Sequence, residues 1–114
     1  MAIRAKRIYE PAAGDDGFRV LIDRLWPRGL TKEKAKVDLW LKELSPSHEL
    51  RRWYSHRAEL WPEFQKRYAA ELKGQLEALA MLRREARKRR VTLLFASRET
   101  ELNNASALKR MLER

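Results

Sequence analysis

The sequence predicts an α/β fold: a small, mostly parallel sheet of three to four strands covered by helices, in a single domain over residues 1–114. Three observations carry that prediction. Val20-Leu21-Ile22 is an unbroken apolar run, the pattern of a strand buried on both faces, and Val91-Thr92-Leu93-Leu94-Phe95 is the clearest strand in the chain. A long amphipathic stretch precedes the second run and another follows it, which is the order of a parallel α/β unit. No repeat, low-complexity segment or linker divides the chain, and 114 residues suffice for one core and little more.

Residues 2–9, with Ile3, Ala5 and Ile8, read as the first strand. Glu10 to Gly17 is turn chemistry, with one Pro, two Gly and two Asp. Those eight residues are few for a parallel crossover, which usually takes a dozen or so. The length alone favours a hairpin, whereas the doubly buried look of residues 20–22 favours a parallel, covered sheet. After Gly29, Thr31 suits the N-cap of a short turn through Lys36. Asp38 suits the cap of a second turn carrying Leu39, Trp40, Leu41 and Leu44. Ser45-Pro46 reads as the next helix start, over residues 46–54, burying Leu50 and Trp53 or Tyr54 and exposing Arg51 and Arg52.

Trp61, Phe64, Tyr68, Leu72, Leu76, Leu79 and Leu82 then form one stripe at steps of three and four, with Pro62 in the first turn. Gly74 costs about 1 kcal/mol inside a helix, so it marks a kink or a break between two nearly collinear helices. Residues 83–90 end that stretch with the positive charge that a helix C-terminus favours. The last helix covers residues 101–113 and buries Leu102 or Ala105, Leu108, Met111 and Leu112.

Composition narrows the function classes. Twenty-six Lys and Arg against 16 Asp and Glu give a net charge of +10. A field of that sign draws nucleic acid, nucleotides, anionic surfaces or acidic partners. The chain has no cysteine, which excludes disulfides, thiolate nucleophiles and cysteine-based zinc sites. The basic start (Arg4, Lys6, Arg7) is followed by no apolar run, and no stretch reaches the ~18 apolar residues of a membrane span. The expectation is a cytoplasmic protein without a membrane partner. Two histidines without a clustered carboxylate do not make a metal site, and there is no Gly-rich phosphate loop, so no metal or cofactor is expected.

The candidate site follows from the fold. In open parallel sheets, ligands sit beyond the carboxyl ends of the strands. After residues 20–22 come Asp23, Arg24, Trp26, Pro27, Arg28 and Gly29; after residues 91–95 come Ser97, Arg98, Glu99 and a helix start near Asn103. If the two strands are neighbours, these segments converge. Arg24, Arg28 and Arg98 offer forked donors for phosphate or carboxylate, with Trp26 and Asn103 beside them. A helix N-terminus adds backbone N–H groups. Asp23, Glu99 and the loop residue His56 are the candidates for proton transfer. Each has a structural alternative: strand-end ion pairs, a core Trp26, or an asparagine bonding its own backbone.

Taken together, Lys6-Arg7-Ile8-Tyr9, the block Arg19 to Gly29, Ser45-Pro46-Ser47 and Glu49-Leu50-Arg51 resemble the YeaO-like family of small bacterial proteins of uncharacterised function. The resemblance continues through Trp53-Tyr54-Ser55-His56, Phe64, Tyr68, Glu71, Leu72 and Leu93-Leu94-Phe95 to Asn103. It spans nearly the whole chain and implies an α/β fold with the Asp23-to-Pro27 block after a parallel strand. Relatives often carry Asn-His at the last helix start and a Lys-Asp-like pair after the last strand. Here stand Asn103-Asn104 and Arg98-Glu99, and binding survives those changes more easily than histidine-dependent catalysis. Three functions remain open at this stage. One is binding of a phosphate-bearing ligand at the strand ends, another is an enzyme acting on such a ligand, and the third is a basic surface, residues 83–90 with Arg51 and Arg52, that takes nucleic acid or an acidic partner without any pocket.

Overall fold

The computed structural model describes all 114 residues and places four strands in one all-parallel sheet. They are β1 (Ile3–Arg7), β2 (Phe18–Leu21), β3 (Leu39–Trp40) and β4 (Val91–Phe95), in the order β1-β4-β2-β3. The helices are α1 (Lys32–Ala35), α2 (His48–Tyr54), α3 (Trp61–Glu71), α4 (Leu76–Lys88) and α5 (Asn104–Glu113). Every residue of β4 is buried, as its apolar run requires for a central strand. Ile3 pairs with Val91 on one side of it, and Phe18 pairs with the same Val91 on the other.

That order resolves the conflict over the first two strands. They are parallel, but β4 lies between them, so the loop never had to form a tight crossover between neighbours. Residues 8–17 need only return along one strand and step across two strand spacings, about 19 Å, and ten extended residues reach about 33 Å. The loop itself covers the sheet there. Asp16, fully buried, meets Arg4 at 3.0 Å and Lys6 at 3.0 Å on β1, and Arg19 on β2. The Ala13 N–H donates to its carboxylate, and its backbone carbonyl accepts the Thr92 hydroxyl of β4 at 2.7 Å. Gly17 turns the chain into β2 with φ of +66°, and a Cβ there would lie 2.3 Å from the Arg90 carbonyl oxygen. Only glycine fits both demands.

Alternation along the strands divides the apolar residues between two cores. Ile3, Val20, Ile22, Leu41, Val91, Leu93 and Phe95 face α2 to α5 and join Phe64, Tyr68, Leu82 and Leu108. Ile8, Leu21 and Leu94 face the other side, under Ala35, Trp26 and Trp40. Thr31 caps α1 by accepting the Lys34 N–H, and Lys36 ends it in the left-handed region, within the residues expected.

Several boundaries differ from the sequence expectation. Asp38 caps no helix: it exchanges backbone and side-chain bonds with Arg19, and Leu39–Trp40 becomes an edge strand. Leu44 ends a 3₁₀ turn, Lys42–Leu44. Ser47, not Ser45, caps α2 by accepting the Leu50 N–H, and Pro46 stays outside the helix. Asn103 caps the last helix, which therefore starts at Asn104. The break near Gly74 is a 3₁₀ turn, Leu72–Gln75, and it swings Leu76 out of the stripe into solvent.

Candidate functional site

β2 and β4 are neighbours, so their carboxyl ends do converge. Asp23, the second residue after β2, is the junction. Its carboxylate accepts the Ala96 N–H at 2.8 Å and the Asn104 side-chain amide at 3.1 Å, and its carbonyl accepts the Trp40 indole N–H at 2.7 Å. One residue thereby ties together β2, β3, the end of β4 and the start of α5. Burial raises the Asp23 pKa, while the Asn104 and Ala96 hydrogen bonds and the charge of Arg51 pull it back.

Above Asp23 opens a cleft of about 620 Å³, within the range of small-molecule sites. Its floor is Asp23, Ala96, Ser97, Asn103 and Asn104; Arg24, Leu25 and Pro46 form one rim. The facing wall is α2 and the turn after it, which contribute His48, Arg51, Arg52, Tyr54, Ser55 and His56. Sequence explains why that helix turns this side to the cleft. Leu50 and Tyr54 are buried, which leaves His48, Arg51, Arg52 and Ser55 at positions i, i+3, i+4 and i+7 on another face. Ser55 and His56 both adopt positive φ, +44° and +58°, and turn the chain sharply at the cleft mouth.

The charge of the lining is one-sided. Arg24, Arg51 and Arg52 are exposed, and the one internal bond among them is Arg24 to the Pro46 carbonyl at 3.4 Å. Asp23 is the single carboxylate of the lining, and both its oxygens already accept hydrogen bonds. Three guanidinium groups with most of their donors free, around a half-buried floor, can hold an anion by forked, charge-assisted hydrogen bonds.

Of the residues singled out from the sequence, Asp23, Arg24, His56 and Asn103 line this cleft, whereas Trp26, Arg28, Arg98 and Glu99 do not. Trp26 lies on the opposite side of the sheet, edge-on to Trp40 at 5.5 Å, with its indole N–H on the Leu30 carbonyl. Arg28 sits in a surface turn, where its carbonyl accepts the Tyr9 hydroxyl, and Arg98 is exposed. Glu99 folds back on its own turn: its carboxylate accepts the N–H groups of Leu102 and Glu101, which lower its pKa, and His56 nearby lowers it further. Asn103 is committed at both ends of its side chain, accepting from Ser106 N–H and donating to the Glu99 carbonyl. The cleft residues that sequence reading placed elsewhere are His48, Arg51 and Arg52. Their helical spacing was the available signal. No group of three His, Asp or Glu side chains stands together as a metal site would need, and no helix is long and apolar enough to cross a membrane.

Comparison with known proteins covers almost the entire chain. A family model described as the inactive DUF488-N3 subclade matches residues 2–114. An uncharacterised protein of Mycobacterium tuberculosis, Rv3073c, is 42% identical over 110 residues, which are 96% of this chain and 92% of that one. The uncharacterised protein YeaO of Escherichia coli is 40% identical over 108 residues, 95% of this chain and 94% of its own. No solved structure matches the chain.

Proposed function

The chain belongs to the YeaO-like proteins of the inactive DUF488-N3 subclade, and from that premise we propose that it binds a phosphate-bearing small molecule in the cleft at the carboxyl ends of β2 and β4. The observation that carries the reading is the lining: Arg24, Arg51 and Arg52 with free donors, against one carboxylate that is already hydrogen-bonded. The size of the cleft favours a ligand larger than a bare phosphate ion, such as a nucleotide or a phosphorylated metabolite.

Binding is favoured over catalysis for two reasons. The family description, inactive, supports it. The acid–base candidates are also largely occupied, Asp23 by Ala96 and Asn104, and Glu99 by the N–H groups of Glu101 and Leu102. His56 is the one candidate with no hydrogen bond of its own in the protein.

The test is a thermal-shift screen against nucleotides and other organic phosphates, repeated on Arg51→Ala and Arg28→Ala, which remove equal charge inside and outside the cleft. A ligand at ~100 times its Kd adds about 2.7 kcal/mol to the stability of the folded state. The expected result is a shift in the parent protein and Arg28→Ala that is absent in Arg51→Ala. Equal shifts in both variants would place binding elsewhere.

A further inference from the structure

We propose a second anion site at the opposite end of the molecule: a nucleic-acid backbone surface formed by the exposed end of α4 together with the end of α5. Because the sheet is parallel, the cleft lies at its carboxyl edge, and α4 delivers the chain to its amino edge, where β4 begins at Val91. Residues 83–90 hold six cations and one acid. Two of the six have structural work. Arg83 donates to the carbonyls of Met111 and Leu112 at 3.1 and 3.3 Å, and Arg89 takes the one acid, Glu85, at 3.4 Å while lying over the Phe18 ring.

Arg84, Arg87, Lys88 and Arg90 remain, all exposed and without an ion-pair partner. The bonds from Arg83 set the last turn of α5 beside them, and Arg110 and Arg114 there are exposed as well. Glu113 is taken by Lys109 at 3.1 Å. A helix end rewards positive charge only within its last turn, and Arg84 and Lys88 repel each other across one turn. The concentration of charge therefore exceeds what the fold uses.

The chemistry of the surface selects the partner. Arginine predominates, and its fork matches phosphate oxygens. A bilayer-binding helix needs an apolar side free to insert, but the apolar side of α4 (Leu79, Leu82, Ala86) is buried in the core. A strand of phosphates is the better fit, since a bilayer could hold this face by charge alone, without insertion.

The experiment is fluorescence anisotropy with a labelled single-stranded oligonucleotide of about 20 residues, titrated from about 50 to about 200 mM salt. It compares the parent with a triple variant, Arg84→Ala, Arg87→Ala and Lys88→Ala. A second triple variant, Lys32→Ala, Lys34→Ala and Lys66→Ala, removes equal charge from exposed positions elsewhere. Saturable binding by the parent is expected, with the first variant at least tenfold weaker and the slope of log affinity on log salt reduced by about 2. The second variant is expected to stay within about threefold of the parent, since diffuse charge contributes little beyond a screening length. Equal losses in the two variants, or no saturable binding by the parent, would overturn the proposal. Arg28→Ala, which lies outside both sites, should bind the oligonucleotide as the parent does.

Discussion

A buried carboxylate is expensive unless its charge is matched, and Asp16 is matched by Arg4, Lys6 and Arg19 at once. Burial alone would raise its pKa. The Ala13 N–H and the side chains of Lys6 and Arg19 outweigh that and hold it at about 2, below the ordinary 3.8. The sign follows: the folded state binds this proton less readily than the unfolded chain, so the stabilisation is complete above the ordinary carboxylate range. It is lost as pH falls from about 4 toward 2. The amount is about 2 kcal/mol, at 1.36 kcal/mol per unit. Urea unfolding at pH 6 and at pH 2.5 should show that loss, and Asp16→Ala should flatten this part of the pH dependence. At neutral pH, Asp16→Ala should cost about 3–5 kcal/mol, because Arg19 would then be a buried cation without its counter-charge. A loss below about 1 kcal/mol would show that the cations find water or another acid instead. Asp16 was read from the sequence only as a turn residue. Its partners lie on two strands brought together by tertiary pairing, and nothing local to residues 14–17 announces them.

At the scale of the element, α2 decides the cleft. A helix of seven residues is far too short to be stable alone, so its position depends on what holds its ends. Leu50 and Tyr54 seat it on the core, and the Tyr54 hydroxyl reaches the Leu102 carbonyl at 2.9 Å. At its start, Ser47 donates through its N–H (2.8 Å) and its hydroxyl (2.5 Å) to the carboxylate of Glu71 at the end of α3, while its hydroxyl oxygen accepts the Leu50 N–H. Glu71 lies outside the cleft lining, yet it positions the helix that carries Arg51 and Arg52. Glu71→Ala should therefore weaken phosphate-ligand binding several-fold at a stability cost of about 1 kcal/mol, the scale of a lost cap. Glu71→Gln, which can still engage both Ser47 groups, should restore most of the affinity. Isothermal titration of the three proteins decides it: if Glu71→Ala binds as the parent does, α2 is held by its core contacts alone. The same element shows where sequence reading works and where it stops. The burial of Leu50 and the exposure of Arg51 and Arg52 were legible from periodicity. That those arginines face the strand ends was not, because it depends on how α2 crosses the sheet. β3 was illegible for a related reason: Leu39, Trp40, Leu41 and Leu44 have helical spacing, and only pairing with β2 makes the first two a strand.

At the scale of the whole molecule, the strand ends beside the candidate cleft were legible and the α2 wall facing them was not. Apolar runs identified β2 and β4, and the carboxyl-end rule then pointed to Asp23, Arg24 and Asn103, but equally to Trp26, Arg28, Arg98 and Glu99, which lie outside the cleft. Trp26 and Arg28 follow in sequence, but by Trp26 the chain has passed to the other side of the sheet, and Arg28 sits in the surface turn after Pro27. A charge of +10 on a body of radius of gyration 13.3 Å sets a global term as well. Its self-repulsion acts over distances comparable to the screening length, about 10 Å at 0.1 M salt. Raising sodium chloride from about 0.01 to 0.15 M should therefore raise Tm by a few degrees, since about 1 kcal/mol corresponds to roughly 4 °C or more in a domain of this size. The buried Asp16 group contributes little to that change, being shielded from the salt. Phosphate at the same ionic strength should add a further increment if the cleft takes it up, because binding stabilises the folded state beyond screening. Arg28→Ala and Arg51→Ala lower the net charge equally, so both should show the same chloride response. Only Arg51→Ala should lose the phosphate increment. Superimposable chloride and phosphate curves for the parent at matched ionic strength would mean that charge acts here only through its long-range field, and that the cleft arginines hold no phosphate ion.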